Sequence, residues 1–316
     1  MVRLTHVLLV LVIISGIYSC TSGQEEMGEM NDAPPVVEVQ AIYKADTNEH
    51  LFVTDADTLD AGWTTFRFIN ASPMVHFMLI DKYPGDKTSV DAMKEVGPPF
   101  QEAMDLINEG KRDEGLAALA GLPAWFGEVA FKGGPGFTSP GQTMEMTMFL
   151  EPGNHVVECY VKTEDGVFHN MLGMTFDMYV TEDTTNAAEP SDPSLVIDLS
   201  NEGFKLNVNQ VKAGEHLVAV NFNEPEPPML ANDVQVIKVE EDTDLDAVAA
   251  WMDWSMTDGL VSGMDDPAPA FFLGGVQDMP MGNTAYFKVT LEPGNYAWIS
   301  ERSAETPLYQ EFSVVE

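Results

Sequence analysis

Leu150-Glu151-Pro152-Gly153-Asn154 reappears unchanged as Leu291-Glu292-Pro293-Gly294-Asn295. Five residues beyond each Asn, the first copy has Cys159 and the second has Ser300. Upstream, Pro123-Ala124-Trp125-Phe126 is echoed by Pro269-Ala270-Phe271-Phe272. The interval far exceeds a solenoid repeat, so one domain is written twice rather than arrayed. Comparing the copies separates what the fold needs from what a site needs.

Each copy spells the same elements outward from that turn. Before it lies a period-two strand, Met144 to Met148 or Ala285 to Val289. Earlier come strands at Thr64 to Asn70 and Val75 to Ile80, matched by Leu217 to Asn223 and Val234 to Val239. Between them sits a helical insert. Thr88 caps Val90 to Lys94 and Phe100 to Asn108 continues helically; in the second copy Asp242 or Thr243 caps Leu245 to Trp254. Closing strands follow at Thr175 to Val180 and Glu311 to Val315. Short alternating strands joined by Gly/Pro turns predict an all-β chain of two tandem Greek-key β-sandwich domains, each with a short helical insert. The domains span 36–180 and 195–316, and the linker 181–194 has no apolar residue beyond two alanines.

The amino terminus reads as a targeting segment. Arg3 followed by the apolar run Val7 to Ile14 is a signal peptide over 1–19, too short to span a bilayer. Ile17-Tyr18-Ser19-Cys20 resembles a bacterial lipobox, with Tyr18 larger than usual; it implies lipidation of Cys20. An ordinary secretory signal with Cys20 incidental is the other reading. Residues 20–35 are acidic, polar and aperiodic, a flexible tether. The expected location is therefore exported, on a membrane of the bacterial cell envelope, through a lipid anchor at Cys20.

With 51 acidic against 15 basic residues, the net charge is −36. That excludes nucleic acid as a partner, because phosphate binding draws on clustered Lys and Arg. It fits a well-solvated surface in a salty medium, and would also steer a cationic partner such as a basic redox protein. If Cys20 is acylated, Cys159 is the sole remaining thiol and no intramolecular disulfide can form. Cys159 is then either a buried core residue or a metal ligand.

The first copy carries Asn70 at a strand end, His76 entering the next strand, then Cys159, His169, Gly173 and Met174. This order resembles the cupredoxins, the blue-copper fold. The resemblance implies cupredoxin-like domains and a copper site in domain one, used for electron transfer or copper holding. His76 and His169 would be the imidazole ligands, Cys159 the thiolate, Met174 the axial thioether and Asn70 a supporting hydrogen-bonding residue. Two imidazoles and a thiolate suit both copper oxidation states, and a long axial Met tunes the potential. The spacing departs from the family, with nine residues between Cys159 and His169. Glu164-Asp165-Gly166 reads as a hairpin tip within that span, so His169 either folds back onto Cys159 or faces it across the hairpin.

The second copy lacks the set: it has Ser300 and no His beyond His216, yet keeps the Pro-Gly-Asn frame. A metal-free binding or structural module with Cys159 in its core is the competing reading. The methionines at 144, 146 and 148 read as an inward strand face, and His50 and His155 as surface residues. No nucleophile elbow or phosphate-cradling loop is present. An enzyme is the class the sequence supports least.

Overall fold

Alternation at 64–70 and its echo at 217–223 place Phe66, Phe68, Val218 and Val220 on inward faces, where all are buried in a computed structural model that describes residues 33–224 and 231–316. Cys20 and the signal segment lie outside those residues.

The first half runs β1 (Val36–Lys44), β2 (Glu49–Val53), β3 (Thr58–Asn70), β4 (Leu79–Lys82), β5 (Ala130–Phe131), β6 (Thr143–Leu150), β7 (Gly153–Glu158) and β8 (Thr175–Thr184). The second runs β9 (Leu195–Ser200), β10 (Gly203–Leu206), β11 (Val211–Lys212), β12 (Gly214–Phe222), β13 (Val234–Val239), β14 (Phe271–Val276), β15 (Thr284–Leu291), β16 (Gly294–Ser300) and β17 (Leu308–Val315). In the first half β2-β1-β3-β6 form one sheet, and the start of β3 (Thr58 to Ala61) crosses to pair with β8, then β7, β4 and β5. The second half repeats the plan as β10-β9-β12-β15 and β11-β17-β16-β13-β14. The expected strand at 175–180 extends to Thr184, so the first residues of the expected linker are still ladder.

The repeat-related sheets meet edge to edge. β6 pairs antiparallel with β15, with Tyr286 opposite Thr147, Phe287 opposite Met146 and Lys288 opposite Glu145. Behind that seam, Phe137 stacks at an angle with Phe272 (5.1 Å) and Trp251 (5.7 Å), which joins the two cores. Met144, Met146 and Met148 are all buried, filling the sandwich as an inward strand face does. Each fully buried Phe of this interior is worth about 2–3 kcal/mol of transfer free energy.

The inserts follow local rules with two differences from expectation. Thr88 and Asp91 form a capping box at α1 (Ser89–Asp91). A π-helical turn (Ala92–Val96) then leads into α2 (Gly97–Asn108), whose early prolines need no intrahelical N–H, and α3 (Arg112–Ala118) follows. In the second half the cap of α4 (Leu245–Met252) is Asp244, whose carboxylate accepts the Asp246 and Ala247 amides, rather than Asp242 or Thr243. Thr243 instead accepts the Glu240 amide in the preceding turn.

His155 is not a surface residue. On β7 it faces inward, is 1 % exposed, and its Nδ1 lies 3.2 Å from the Gly153 carbonyl. Burial pushes its pKa from 6.5 down to about 4. The unfolded chain therefore takes up a proton at 6.5 that the folded chain refuses until about 4, and stability falls as pH drops through that window. Between pH 7 and pH 5 the wild type should lose on the order of 1–2 kcal/mol more than His155→Gln in urea denaturation. Parallel curves for the two proteins would contradict a neutral, buried ring.

Candidate metal centre

Pro73 cannot donate to a ladder, and the chain leaves β3 in a tight loop that the Asn70 side chain organises. Its Nδ2 donates to the Met74 and Thr138 carbonyls, both at 2.7 Å, and its Oδ1 accepts from the Ser72 amide and hydroxyl. One buried amide thus ties the loop before His76 to the segment that His76 pairs with. The strand expected at Val75 to Ile80 is consequently regular only over β4, and His76 makes an isolated bridge to Thr138.

Cys159 lies just past β7, its amide on the Met174 carbonyl (3.2 Å) and its carbonyl accepting the Asn170 amide (2.9 Å). The nine intervening residues form a hairpin, with the Gly166 amide on the Thr163 carbonyl (2.8 Å) and Lys162 bridged to Phe168. The returning strand brings the His169 amide onto the Val161 carbonyl (2.8 Å). The second half holds this hairpin. Lys162 is fully buried, its Nζ donating to the Trp254 (3.1 Å) and Met256 (3.0 Å) carbonyls, and burial lowers its pKa to about 8.

These elements bring three of the named side chains together. His169 Nδ1 lies 3.2 Å from His76 Nδ1, and Cys159 Sγ lies 3.7 Å from the same His76 nitrogen. Two ligands roughly 2.1 Å from a shared ion in trigonal arrangement stand about 3.6 Å apart, so each of the two pairs is spaced as ligands of one ion are. Cys159 nevertheless lies outside the group of donors that all approach within 4.8 Å of one another. Met174 is fully buried and its backbone bonds to both segments, its amide on the His169 carbonyl (3.0 Å).

His50 completes the cluster, contrary to its reading as a surface residue. On β2, it is 2 % exposed and its ring stacks on His169 with centroids 3.9 Å apart and planes at 16°. Nitrogens of His50, His76 and His169 all lie within 4.8 Å of one another, an arrangement that could hold a metal ion. The signal for it was the alternation Glu49-His50-Leu51-Phe52, which places His50 and Phe52 on one face. Gly173 lets β2 approach: its φ is +105°, and a Cβ there would meet Leu51 Cδ2 at 3.1 Å and the His50 carbonyl at 3.3 Å.

Electrostatics keep every donor neutral. Burial, reinforced by His50, pushes His76 down to about 3; burial alone takes His50 to about 4; burial and the other two rings hold His169 well below 6.5. All three rings therefore keep lone pairs at neutral pH. His76 Nε2, His169 Nε2 and His50 Nδ1 are buried without hydrogen-bond partners, an expense that a packed core rarely tolerates without use. Burial lifts the Cys159 thiol to about 12, partly offset by the Phe77 and Val161 amides bonded to the sulfur. A thiolate here calls for an adjacent cation, which a metal ion supplies. The donor set of neutral imidazoles and one soft sulfur fits copper.

In the second half the same place is polar and closed. Ser300 donates to Asp233 Oδ1 at 2.7 Å, and Asp233 also accepts from the Glu301 amide. The pairings of Ile80 with Val157 and Val236 with Trp298 put Asn232 where the first half has His76.

No protein-family model and no curated protein sequence matches this chain. Among solved structures it is similar to auracyanin A, a "blue" copper protein of Chloroflexus aurantiacus, at 19 % identity over 47 % of this chain and 100 % of that one, TM-score 0.29. It is also similar to a blue copper oxidase from Nitrosomonas europaea (10 % identity, 90 % and 86 % covered, TM-score 0.24) and a copper-containing nitrite reductase from Thermus scotoductus (10 %, 89 % and 62 %, TM-score 0.24). The exclusion of an enzyme drawn from the sequence is corrected by this set, which includes an oxidase and a reductase. Among the described residues no helix is long and apolar enough to cross a membrane.

Proposed function

We propose that the first half binds one copper ion for electron transfer or copper holding, in a protein exported and tethered through a lipid on Cys20. The observation that carries this is the convergence of His169 Nδ1 and Cys159 Sγ on His76 Nδ1, at 3.2 and 3.7 Å, in a dry core. His76, His169 and Cys159 would hold the ion, with Met174 as the axial thioether. Copper would supply a one-electron couple. The chain's part is to keep three rings neutral, exclude water and hold the ligand hairpin with Lys162. Asn70 supports the site by fixing the loop that aims His76. The net charge of −36 favours a cationic redox partner and supports no role with nucleic acid.

The test is titration of the metal-free full chain with Cu(II). Stoichiometric binding with an intense thiolate-to-copper absorption supports the reading. A colourless protein that takes up neither Cu(II) nor Cu(I) would leave a metal-free module with Cys159 as core. Two variants assign the fourth donor. Met174→Leu should keep the absorption and shift the reduction potential. His50→Phe keeps a ring against His169 but removes the nitrogens; copper affinity should fall about tenfold, and an unchanged affinity would leave His50 as packing alone. Lipid labelling that persists in Cys20→Ser would remove the anchor.

A further inference from the structure

A cavity of about 390 Å³ lies between the two halves, on the far side of the strands that carry the metal centre. Alternation explains the placement. Cys159 and His169 turn toward the metal cluster, while their neighbours Glu158, Tyr160, Phe168 and Asn170 line the cavity. One wall is an aromatic box around Phe100, with ring centroids 5.9 Å from Phe126, 6.2 Å from Phe168 and 5.8 Å from Trp254.

Another part of the lining is acidic. Glu158, Asp278 and Glu301 all line the cavity, and the lining residues include no Lys, Arg or His. Among the donors that reach them are Asn170 Nδ2 to Glu158 (2.9 Å), the Tyr160 hydroxyl to Glu301 (3.0 Å) and the Asn232 amide to Asp278 (2.6 Å). Arg302, outside the lining, donates to the Ala231 and Glu301 backbone carbonyls and is attracted by Asp278 and Glu301. Burial and repulsion from neighbouring carboxylates raise the pKa of Glu301 well above its usual value. The cavity therefore gathers three carboxyl groups, with no basic side chain in its lining, together with aromatic rings that favour a cation.

We propose that this cavity binds a compact primary ammonium with an apolar or aromatic body, its nitrogen at Glu158, Asp278 and Glu301 and its body in the Phe100 box. Charge complementarity selects the ammonium, and a volume at the lower end of small-molecule sites selects the compact body. The site stands on the chain's own side chains and does not require the copper reading to hold.

The experiment is calorimetry on the metal-free full chain with 2-phenylethylammonium, 2-phenylethanol and 3-phenylpropionate. The ammonium should bind at sub-millimolar concentration, the alcohol about tenfold or more weakly, and the carboxylate not detectably. Glu301→Gln keeps an acceptor for Tyr160 and should weaken only the ammonium, by about tenfold. Ala92→Trp, which fills the cavity from the π-helical turn, should abolish binding without lowering the denaturation midpoint. Equal affinity for alcohol and ammonium, or no heat and no change in tryptophan fluorescence with millimolar ammonium, would overturn the proposal. Because no metal is present, neither result bears on copper.

Discussion

Cys159→Ser is expected to abolish the thiolate-to-copper absorption and weaken copper binding at least about 100-fold, beyond the effect of losing a supporting residue. The serine oxygen can accept from the Phe77 and Val161 amides that now bond the sulfur. The metal-free variant should therefore fold, losing about 1–2 kcal/mol for a hydroxyl placed in an apolar core. The two readouts separate the competing functions. A large loss of copper with a small loss of stability marks a ligand. A small loss of stability in a protein that never bound copper marks a core cysteine.

Trp298→Ala should cost about 3–5 kcal/mol, the usual cost of truncating a large buried aromatic. Trp298 is fully buried at the centre of the second sandwich, stacked on Phe312 with centroids 4.6 Å apart and planes at 9°. The effect should not stay in that half. The β6–β15 ladder, the Phe137–Trp251–Phe272 contacts and the buried Lys162 cross the boundary, so denaturation should remain one transition at a lower midpoint. Two resolved transitions, with only one shifted by the substitution, would show that the halves unfold independently.

Much of the fold was legible because its signals are local. The Pro-Gly-Asn turns, the alternation of 64–70 and 144–148, and the capping box at Thr88 each specify their own geometry. His76, Cys159 and His169 were named from the order that resembles the cupredoxins, and the last two lie within 3.7 Å of a His76 ring nitrogen. What was not legible depended on tertiary placement. His50 belongs to a short strand that pairs with β1, and only sheet order carries it to His169. The nine-residue gap read as a departure until the hairpin proved to return His169 beside Val161. Lys162 gave no signal at all, because a lysine in a hairpin is ordinarily solvated and its partners are backbone carbonyls some 90 residues away. The acidic wall of the cavity was equally hidden, since in so acidic a chain no single carboxylate stands out.

The seam between β6 and β15 also gives the second copy a reason to persist without the histidines and cysteine that cluster in the first. A strand at the rim of a sheet offers unpaired amides and carbonyls to any chain that drifts by, and β6 is rich in methionine and threonine with few charges to deter it. Here the duplicated half is a built-in neighbour that occupies that template permanently. Separating the halves near residue 190 would leave the first with an open, sticky margin, and that fragment should self-associate through β6 where the intact chain does not.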